Sequence, residues 1–401
     1  MPKTLLVISK YLPEYTGAAY RLHSLYQRIG SADIEVLCTS TSETKNMAYT
    51  HDGIRVKRVV FPLALSATPN RLINAIKVYY EAFFSFFYIR RQKPEFLHIA
   101  GYSGATMAAL LYGRIYNVPR LVELVTSEAT PFQYLPGLRY SNFLKLEKRT
   151  VIIAISKKIA NECKQKGLNK NIWCRPNPID ASRFTPPSEK NKASLRQALC
   201  PFKDNDIIIS MVAKFMPQKN QIFLLDVLRR LPENYKLLLA GPRVNSGIFQ
   251  KRDADYFKNI EKTIKDYTLE NRVHIHDGFV DAADYMKASD VYVMPQYTEG
   301  LGTPMLEAIA CGVPVVANAT EPAFQEWIKD GENGYLSAMN SENWAQHIIN
   351  AHELGFKKTA TASKDILEIA SIQKCDDNYI KIISALMNIP ANMKVDLKNV
   401  L

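Results

Sequence analysis

Residues Met294–Val316 read "MPQYTEGLGTPMLEAIACGVPVV". An apolar run ends at Pro295. Gly300, Gly302 and Pro304 then break any regular element, and "PMLEAIAC" follows with helical character before Gly312 and a second apolar run. Proline is favoured at the first helical position, and Thr303 before it is a good N-cap. Gly312 is a standard helix stop. The stretch therefore predicts strand, loop, helix, strand, the repeating unit of a parallel sheet. Glu299 falls on the loop at the carboxyl end of a strand. Glu307 falls one turn into the helix, roughly 5–6 Å along its axis. Between them a helix N-terminus offers free N–H groups and the positive end of a dipole, a natural phosphate seat. The glycines let a ligand approach the backbone. Carboxylates on either side accept hydrogen bonds from hydroxyls, so the pattern suits a nucleotide sugar. It equally fits a turn acid and a solvent-facing helix acid.

The same unit recurs along the chain. "TLLVIS" (4–9), "IEVLC" (34–38), "EFLHIA" (95–100), "RLVELV" (120–125) and "VIIAIS" (151–156) read as strands of a first half. "DIIISMVA" (206–213), "YKLLLAG" (235–241), "RVHIHDG" (272–278), "DVYVMP" (290–295) and "VPVVAN" (313–318) repeat the theme. Apolar runs without alternation suit strands buried on both faces. The 401 residues are comfortable for two domains. The proline-rich "RPNPIDASRFTPPSEKNK" (175–192) is the expected stiff linker. The expectation is an α/β chain of two Rossmann-like domains, 1–178 and 179–372, facing each other across a cleft. A last helix, about 373–389, is free to pack on either domain.

Composition narrows the class. Hydrophobic residues make up 47% of the chain, enough to build cores. "MPKTLLVISKY" has too short an apolar run for a signal peptide, and no stretch reaches the length of a membrane span. The six cysteines form no CxxC pair and read as free thiols of a reducing cytosol. His274 and His276 share a face of one strand, and we read them as strand residues rather than metal ligands. Net charge is +12. Residues 1–180 hold 25 Lys+Arg against 12 Asp+Glu, and residues 181–401 hold 26 against 27, so the excess lies in the first half. That surplus fits an anionic partner or a solvated lysine-rich surface.

Two further loops carry charge or glycine. In "SMVAKFMPQKNQIFLLDVL" (210–228), Lys214 and Lys219 lie five apart between a strand and a helix and can reach one pyrophosphate from two sides. In "YLPEYTGAAYRLHSL" (11–25), Gly17 opens a helix after the first strand, without the full GxGxxG pattern. Together with "EGLGTPMLEAIACGVPVVA", these segments resemble retaining GT-B glycosyltransferases of family four, the glycosyl transferases group 1. "PNPIDASRF" (176–184) and "EWIKDGENGYL" (326–336) resemble the family's hinge and the segment after its last strand pair.

The resemblance implies a set of roles. Lys214 and Lys219 would neutralise the donor pyrophosphate in place of a metal ion, so no cofactor is expected. Glu299 would contact the donor sugar, and Glu307 the ribose hydroxyls. The backbone of Gly300, Leu301, Gly302 and Thr303 would orient sugar and phosphate, and Gly17 would approach the pyrophosphate. The donor would be a UDP- or GDP-sugar, and the acceptor a saccharide or a lipid-linked saccharide of cell-surface polysaccharide or glycoconjugate synthesis. One departure stands out. The family often has a histidine where this chain reads Thr126-Ser127-Glu128, with Ser127 or Glu128 as substitutes, while His98 reads as structural. "NRLINAIKVYYEAFFSFFYIRRQK" (70–93) is read first as a crossover helix buried against a sheet. The alternative is a helix lying in an anionic membrane interface, giving peripheral attachment at the cytoplasmic face. Rival functions are a sugar-nucleotide epimerase on the same fold and a non-catalytic binding protein. No nucleic-acid-binding motif appears.

Overall fold

The computed structural model describes the chain except residues 1, 15, 31–32, 41–42, 63–70, 125–145, 147, 166–167, 169–170, 244–248 and 391–394. The stretch Thr126–Glu128 lies outside the described residues. Two compact units are present, Met1–Pro176 with Cys375–Leu401, and Asn177–Lys374. Both are α/β units built on largely parallel sheets.

The strands of the first unit are β1 (Thr4–Ile8), β2 (Ile34–Cys38), β3 (Met47–His51), β4 (Ile54–Arg58), β5 (Phe96–Ala100), β6 (Arg120–Leu124), β7 (Thr150–Ala154) and β8 (Ile172–Cys174). Their spatial order is β3-β4-β2-β1-β5-β6-β7-β8, with only the β3–β4 pair antiparallel. Strands β1, β2, β5, β6 and β7 are buried at every position, although β2, β5 and β6 carry Glu35, His98, Arg120 and Glu123 among their apolar residues. The helices are α1 (Gly17–Ile29), α2 (Arg71–Gln92), α3 (Gly104–Ile115) and α4 (Lys157–Gln165).

The second unit holds β9 (Ile207–Val212), β10 (Tyr235–Gly241), β11 (Val273–Asp277), β12 (Val291–Met294), β13 (Val315–Asn318) and β14 (Gly334–Ser337). They form a parallel sheet ordered β11-β10-β9-β12-β13-β14. Its helices are α5 (Glu189–Leu199), α6 (Gln221–Leu228), α7 (Gln250–Asp266), α8 (Ala282–Ala288), α9 (Thr303–Ala310), α10 (Pro322–Gln325) and α11 (Ser341–Ala370), the last interrupted at Gly355. The final helix, α12 (Ile372–Asn388), belongs to the first unit from Cys375 onward. There Tyr379, Ile382, Ile383 and Leu386 join the core of β1, β2 and α1.

Sequence reading passed over the β3–β4 hairpin. Its signal is "HDG" (51–53), an Asp-Gly turn flanked by the alternating strand Ile54–Arg58. Helix α2 lies between β4 and β5 in the chain, and none of its aromatic side chains is among its buried positions. Among the described side chains of α2, Glu81, Ser85 and Ile89 are the buried positions, four apart on one face. Ile76, Tyr79, Phe83, Phe84 and Phe87 are exposed. The cause is the close crossing of α3, where a Cβ on Gly104 would lie 2.3 Å from the carbonyl oxygen of Val78 and 2.5 Å from Glu81 Cβ. Small or slender side chains take the closest part of that crossing, Phe86 meets Tyr112 of α3 edge-on at 5.9 Å, and Tyr79, Phe83, Phe84 and Phe87 stay outside.

The first unit is pinned by one buried acid. Glu123 on β6 has no exposed side-chain surface. It accepts hydrogen bonds from Arg21 on α1, from Tyr379 on α12, from His98 Nε2 on β5 at 3.1 Å and from Arg175 at 3.4 Å. His98 is held in turn by Tyr26, 2.8 Å from its Nδ1. Burial opposes ionisation of Glu123, but Arg21, His98 and Arg175 outweigh it and hold the carboxyl well below the usual range. Glu123→Gln is expected to cost about 3–5 kcal/mol, because it leaves buried guanidinium groups short of charge. Urea unfolding checks this. A loss under about 1 kcal/mol would show that the arginines find other partners.

Candidate functional site

In the second unit the sheet runs outward in both directions from the adjacent pair β9 and β12. Such a switch in strand order opens a crevice at the carboxyl ends. The loops after β9, β12 and β13 leave that edge, and they carry most of the residues singled out above.

After β9, Lys214 is exposed and its carbonyl accepts a bond from Gln221 Nε2 at 2.9 Å. A short 3-10 turn, Pro217–Lys219, and the left-handed Asn220 (φ 57°) lead into α6. Asn220 Nδ2 donates to the carbonyl of Pro295 at 3.3 Å, which ties this loop to the one after β12. Lys219 is thereby placed beside Glu299, with Nζ 2.8 Å from Oε2.

Glu299 is fixed from several directions. Gln296 Nε2 donates to its Oε2 at 3.2 Å, and the Gly300 N–H donates to its Oε1 at 3.2 Å. Its own N–H donates to Glu321 Oε2 at 3.1 Å. Burial raises the Glu299 pKa, but Lys219, Gly300 and Gln296 overcome it, so the carboxyl ionises below its ordinary range. Glu321, 1% exposed, also caps α10 through the Ala323 N–H at 3.0 Å. It therefore clamps the loop of Glu299 to the element after β13. Sequence reasoning missed Glu321, and only its place three residues past an apolar strand hinted at it.

The helix start differs from expectation by one residue. Gly302, not Thr303, is the N-cap of α9, with φ 79° and no side-chain cap. A side chain is excluded there twice over, by the left-handed backbone and by Phe324, whose Cε1 would lie 2.7 Å from an added Cβ. Thr303 is the first helical residue and Pro304 the second. Thr303 Oγ1 accepts from Asn177 Nδ2 at 2.9 Å instead of capping the helix. Asn177 Oδ1 and Gln296 Oε1 are buried without a hydrogen-bond partner. Leu301 is buried, while Gly300 lies half-buried at the loop surface.

Glu307 lies on α9, with part of its side chain reaching solvent. Burial pushes its carboxyl up to about 7, with Arg183 pulling it down and Asp281 pushing it up. Arg183 itself pairs with Asp281 at 2.7 Å. Glu299 and Glu307 both raise the pKa of the buried Tyr292 phenol, after burial itself, so both acids act on one point of β12. His274 and His276 sit on β11 near Phe202 and Tyr285 respectively. No third ligating side chain joins them among the described residues.

In the first unit, Gly17 is the exposed first residue of α1, capped by Thr16, with open space where a side chain would stand. A separate hollow of about 730 Å³ opens at the carboxyl ends of β1, β2 and β5. Ser9, Lys10, Thr39, Ser40, Lys77 and Glu81 are among its lining residues. Glu81 Oε1 is buried without a hydrogen-bond partner, 3.9 Å from Lys77 Nζ. Burial pushes its carboxyl up to about 7, tempered by Lys77 and the Gly104 N–H. An acid inside an aromatic helix gave no sequence signal of its own.

Comparison with known proteins bears on the second unit first. Residues 196–365 match the family model of glycosyl transferases group 1. An Escherichia coli UDP-Gal:alpha-D-GlcNAc-diphosphoundecaprenol alpha-1,3-galactosyltransferase is 28% identical over 144 residues, 36% of this chain and 35% of that protein. The match thus spans about a third of that relative's length. An uncharacterized glycosyltransferase of Methanocaldococcus jannaschii is 23% identical over 385 residues, 92% of this chain and 95% of that protein. Among solved structures, Anabaena HepE in complex with UDP and glucose superposes with a TM-score of 0.72 at 18% identity, covering 95% of this chain and 99% of that one. Sucrose-phosphate synthase from Thermosynechococcus elongatus gives 0.72 at 17% identity, covering 96% and 99%. The fold class is therefore that of the GT-B glycosyltransferases, with two Rossmann-like domains.

The raised carboxyl of Glu307 has a measurable consequence. Between the ordinary carboxylate pKa, about 4.3, and about 7, the folded chain keeps a proton that the unfolded chain releases. Its contribution to stability therefore falls as pH rises through that window. Glu307→Gln is expected to flatten part of the loss in melting temperature across it. An unchanged slope in the variant would show that Glu307 titrates as a free carboxyl.

Proposed function

We propose that this chain is a glycosyltransferase that moves a sugar from a nucleoside-diphosphate sugar to an acceptor with retention at the anomeric carbon. The observation that carries the reading is the Lys219–Glu299 pair beside the start of α9, inside the segment matching glycosyl transferases group 1. Relatives named for polysaccharide and glycolipid synthesis support a role in building cell-surface glycoconjugates, as does the lipopolysaccharide core glycosyltransferase of Rhizobium meliloti. UDP is the favoured donor nucleotide because the similar HepE fold is solved with UDP and with UDP-glucose.

In this reading the donor diphosphate seats at the α9 N-terminus, next to the backbone of Gly300–Thr303. Lys219 turns from Glu299 to the diphosphate, and Lys214 approaches from the exposed side of the same loop. Charge develops on the departing diphosphate, so fixed cations there favour the transition state over the ground state. Glu299, released from Lys219, accepts hydrogen bonds from donor-sugar hydroxyls, and Glu307 accepts from the ribose. The lysines do the work that a metal ion does elsewhere, and turnover is proposed to be independent of added divalent cation. In the first unit, the hollow holding Glu81 takes the hydroxyls of the acceptor.

The exposed face of α2 gives the proposal a location. Ile76, Tyr79, Phe83 and Phe87 lie on one side of the helix at 49%, 65%, 59% and 51% exposure, with Arg90 and Arg91 exposed at its end. No helix among the described residues is long and apolar enough to cross a membrane. Aromatic residues beside arginines suit the headgroup layer of an anionic bilayer. We place the enzyme at the cytoplasmic membrane face, acting on a lipid-linked acceptor.

Lys219→Ala is expected to lower turnover by two orders of magnitude or more, about 3 kcal/mol of transition-state stabilisation, with the melting curve nearly unchanged. Screening UDP- and GDP-sugars for donor hydrolysis and thermal protection identifies the substrate. Full activity in Lys219→Ala would remove the lysine from the reaction.

For the membrane contact, sedimentation with phosphatidylglycerol vesicles at low salt is expected to carry the protein down. Phe83→Ser with Phe87→Ser should leave most of it in solution. Equal sedimentation of the variant would show that charge alone drives binding.

A further inference from the structure

The β3–β4 hairpin and helix α1 bring three metal-ligating groups together in the first unit. His23 lies on α1 and is 6% exposed. His51 ends β3, and Asp52 follows it in the turn. Asp52 and Gly53 both take the left-handed conformation, φ 44° and 80°, as a two-residue hairpin turn demands. Asp52 Oδ2 lies 3.2 Å from His23 Nε2 and 3.8 Å from His51 Nε2. All three ligating atoms fall within 4.8 Å of one another.

We propose that His23, His51 and Asp52 bind a divalent transition-metal ion, zinc by the chemistry of the ligands, which pins the β3–β4 hairpin to α1. Two imidazoles and one carboxylate form a recurrent zinc ligand set that leaves a position for water. Tetrahedral bonds of about 2.0–2.1 Å set ligand atoms about 3.3 Å apart. The two separations to Asp52 bracket that value, so small side-chain rotations complete the geometry.

The surroundings already hold the ligands in place. Tyr11, fully buried, lies 2.7 Å from His23 Nδ1. With a metal on Nε2, that Nδ1 carries the proton and donates it to the Tyr11 oxygen, the usual orienting partner of a ligating histidine. Gln27, one helical turn further along α1, donates to the backbone carbonyl of Asp52 at 2.7 Å and fixes the turn without using its carboxylate. The rings of His23 and His51 stand edge to face, 5.2 Å apart. All three ligands belong to the first unit, and none is a residue proposed above for sugar transfer, so the role proposed for the ion is to pin the hairpin.

The test uses the full chain after treatment with a chelator. Calorimetric titration with zinc chloride is expected to show one ion per chain, and zinc should raise the melting temperature. His51→Ala and Asp52→Asn lie on the surface hairpin, and asparagine tolerates the left-handed turn. Each is expected to weaken zinc binding at least about tenfold and to abolish the thermal shift. His276→Ala should change neither. No binding by the parent chain, or binding unaffected in His51→Ala and Asp52→Asn, overturns the proposal. Loss of binding in His276→Ala overturns it too, by moving the ion to β11.

Discussion

An ionised carboxylate with no water around it organises the first unit. Desolvating one such group costs several kcal/mol unless nearly all of its acceptor capacity is filled. Glu123 fills it with groups from α1, β5, the segment after β8 and α12. None of these is close in sequence to β6. The unit is therefore incomplete until residues beyond 375 have returned to it, although the chain leaves it at Pro176. The return is orderly in the second unit as well. The outgoing residue Ile179 and the incoming Ser371 form a bridge, with Ile179 donating to Ala370 and Ile372 donating back to Ile179. Apolar packing of Tyr379, Ile382 and Leu386 supplies the bulk of the attachment, and Glu123 selects its register.

The second unit solves the opposite problem, keeping charges near water without letting them wander. Glu299 gives up part of its solvation but gains Lys219, Gln296 and the Gly300 N–H. Its backbone is held by Glu321, which is anchored in α10. The loop is thus fixed by its main chain, and the Glu299 carboxylate is held by Gln296 and the Gly300 N–H as well as by Lys219. On the function proposed above, an incoming diphosphate would replace one anion at Lys219 with another, so the lysine would not have to shed water twice. This is the logic of a preorganised site, in which the polar groups are placed before the ligand arrives.

Much of this was legible in the sequence, for reasons that differ by element. The buried strands announced themselves because a strand covered on both faces has no polar alternation to confuse it. The loop before α9 was legible because Gly302 and Pro304 leave few conformations open. Thr303 misled as a cap, since its hydroxyl meets Asn177, a partner 126 residues away that no local rule reveals. Glu321, Glu81 and Glu123 were invisible for the same reason, as their importance lies in what surrounds them. The hairpin at Asp52-Gly53 was readable from its turn residues alone and was passed over because β3 is short and mostly exposed.

Helix α2 shows how one packing constraint shapes a surface. Helices cross as closely as their contact residues allow. Gly104 on α3 brings the backbone of α2 so near that Glu81 and Ser85 occupy the closest part of the contact face, with Phe86 against Tyr112 beside them. The acid then lies inside, where burial lifts its pKa and one oxygen stays without a hydrogen-bond partner, 3.9 Å from Lys77 Nζ. The rings are left outside, where water disfavours them at about 25 cal/mol per Å². The two consequences meet at Tyr79, which lines the hollow and is itself exposed among the outward rings. On the function proposed above, the recess beside Glu81 and the apolar face, within a turn of each other, suit an acceptor with a sugar head and a lipid tail better than a free saccharide, which has no use for the rings.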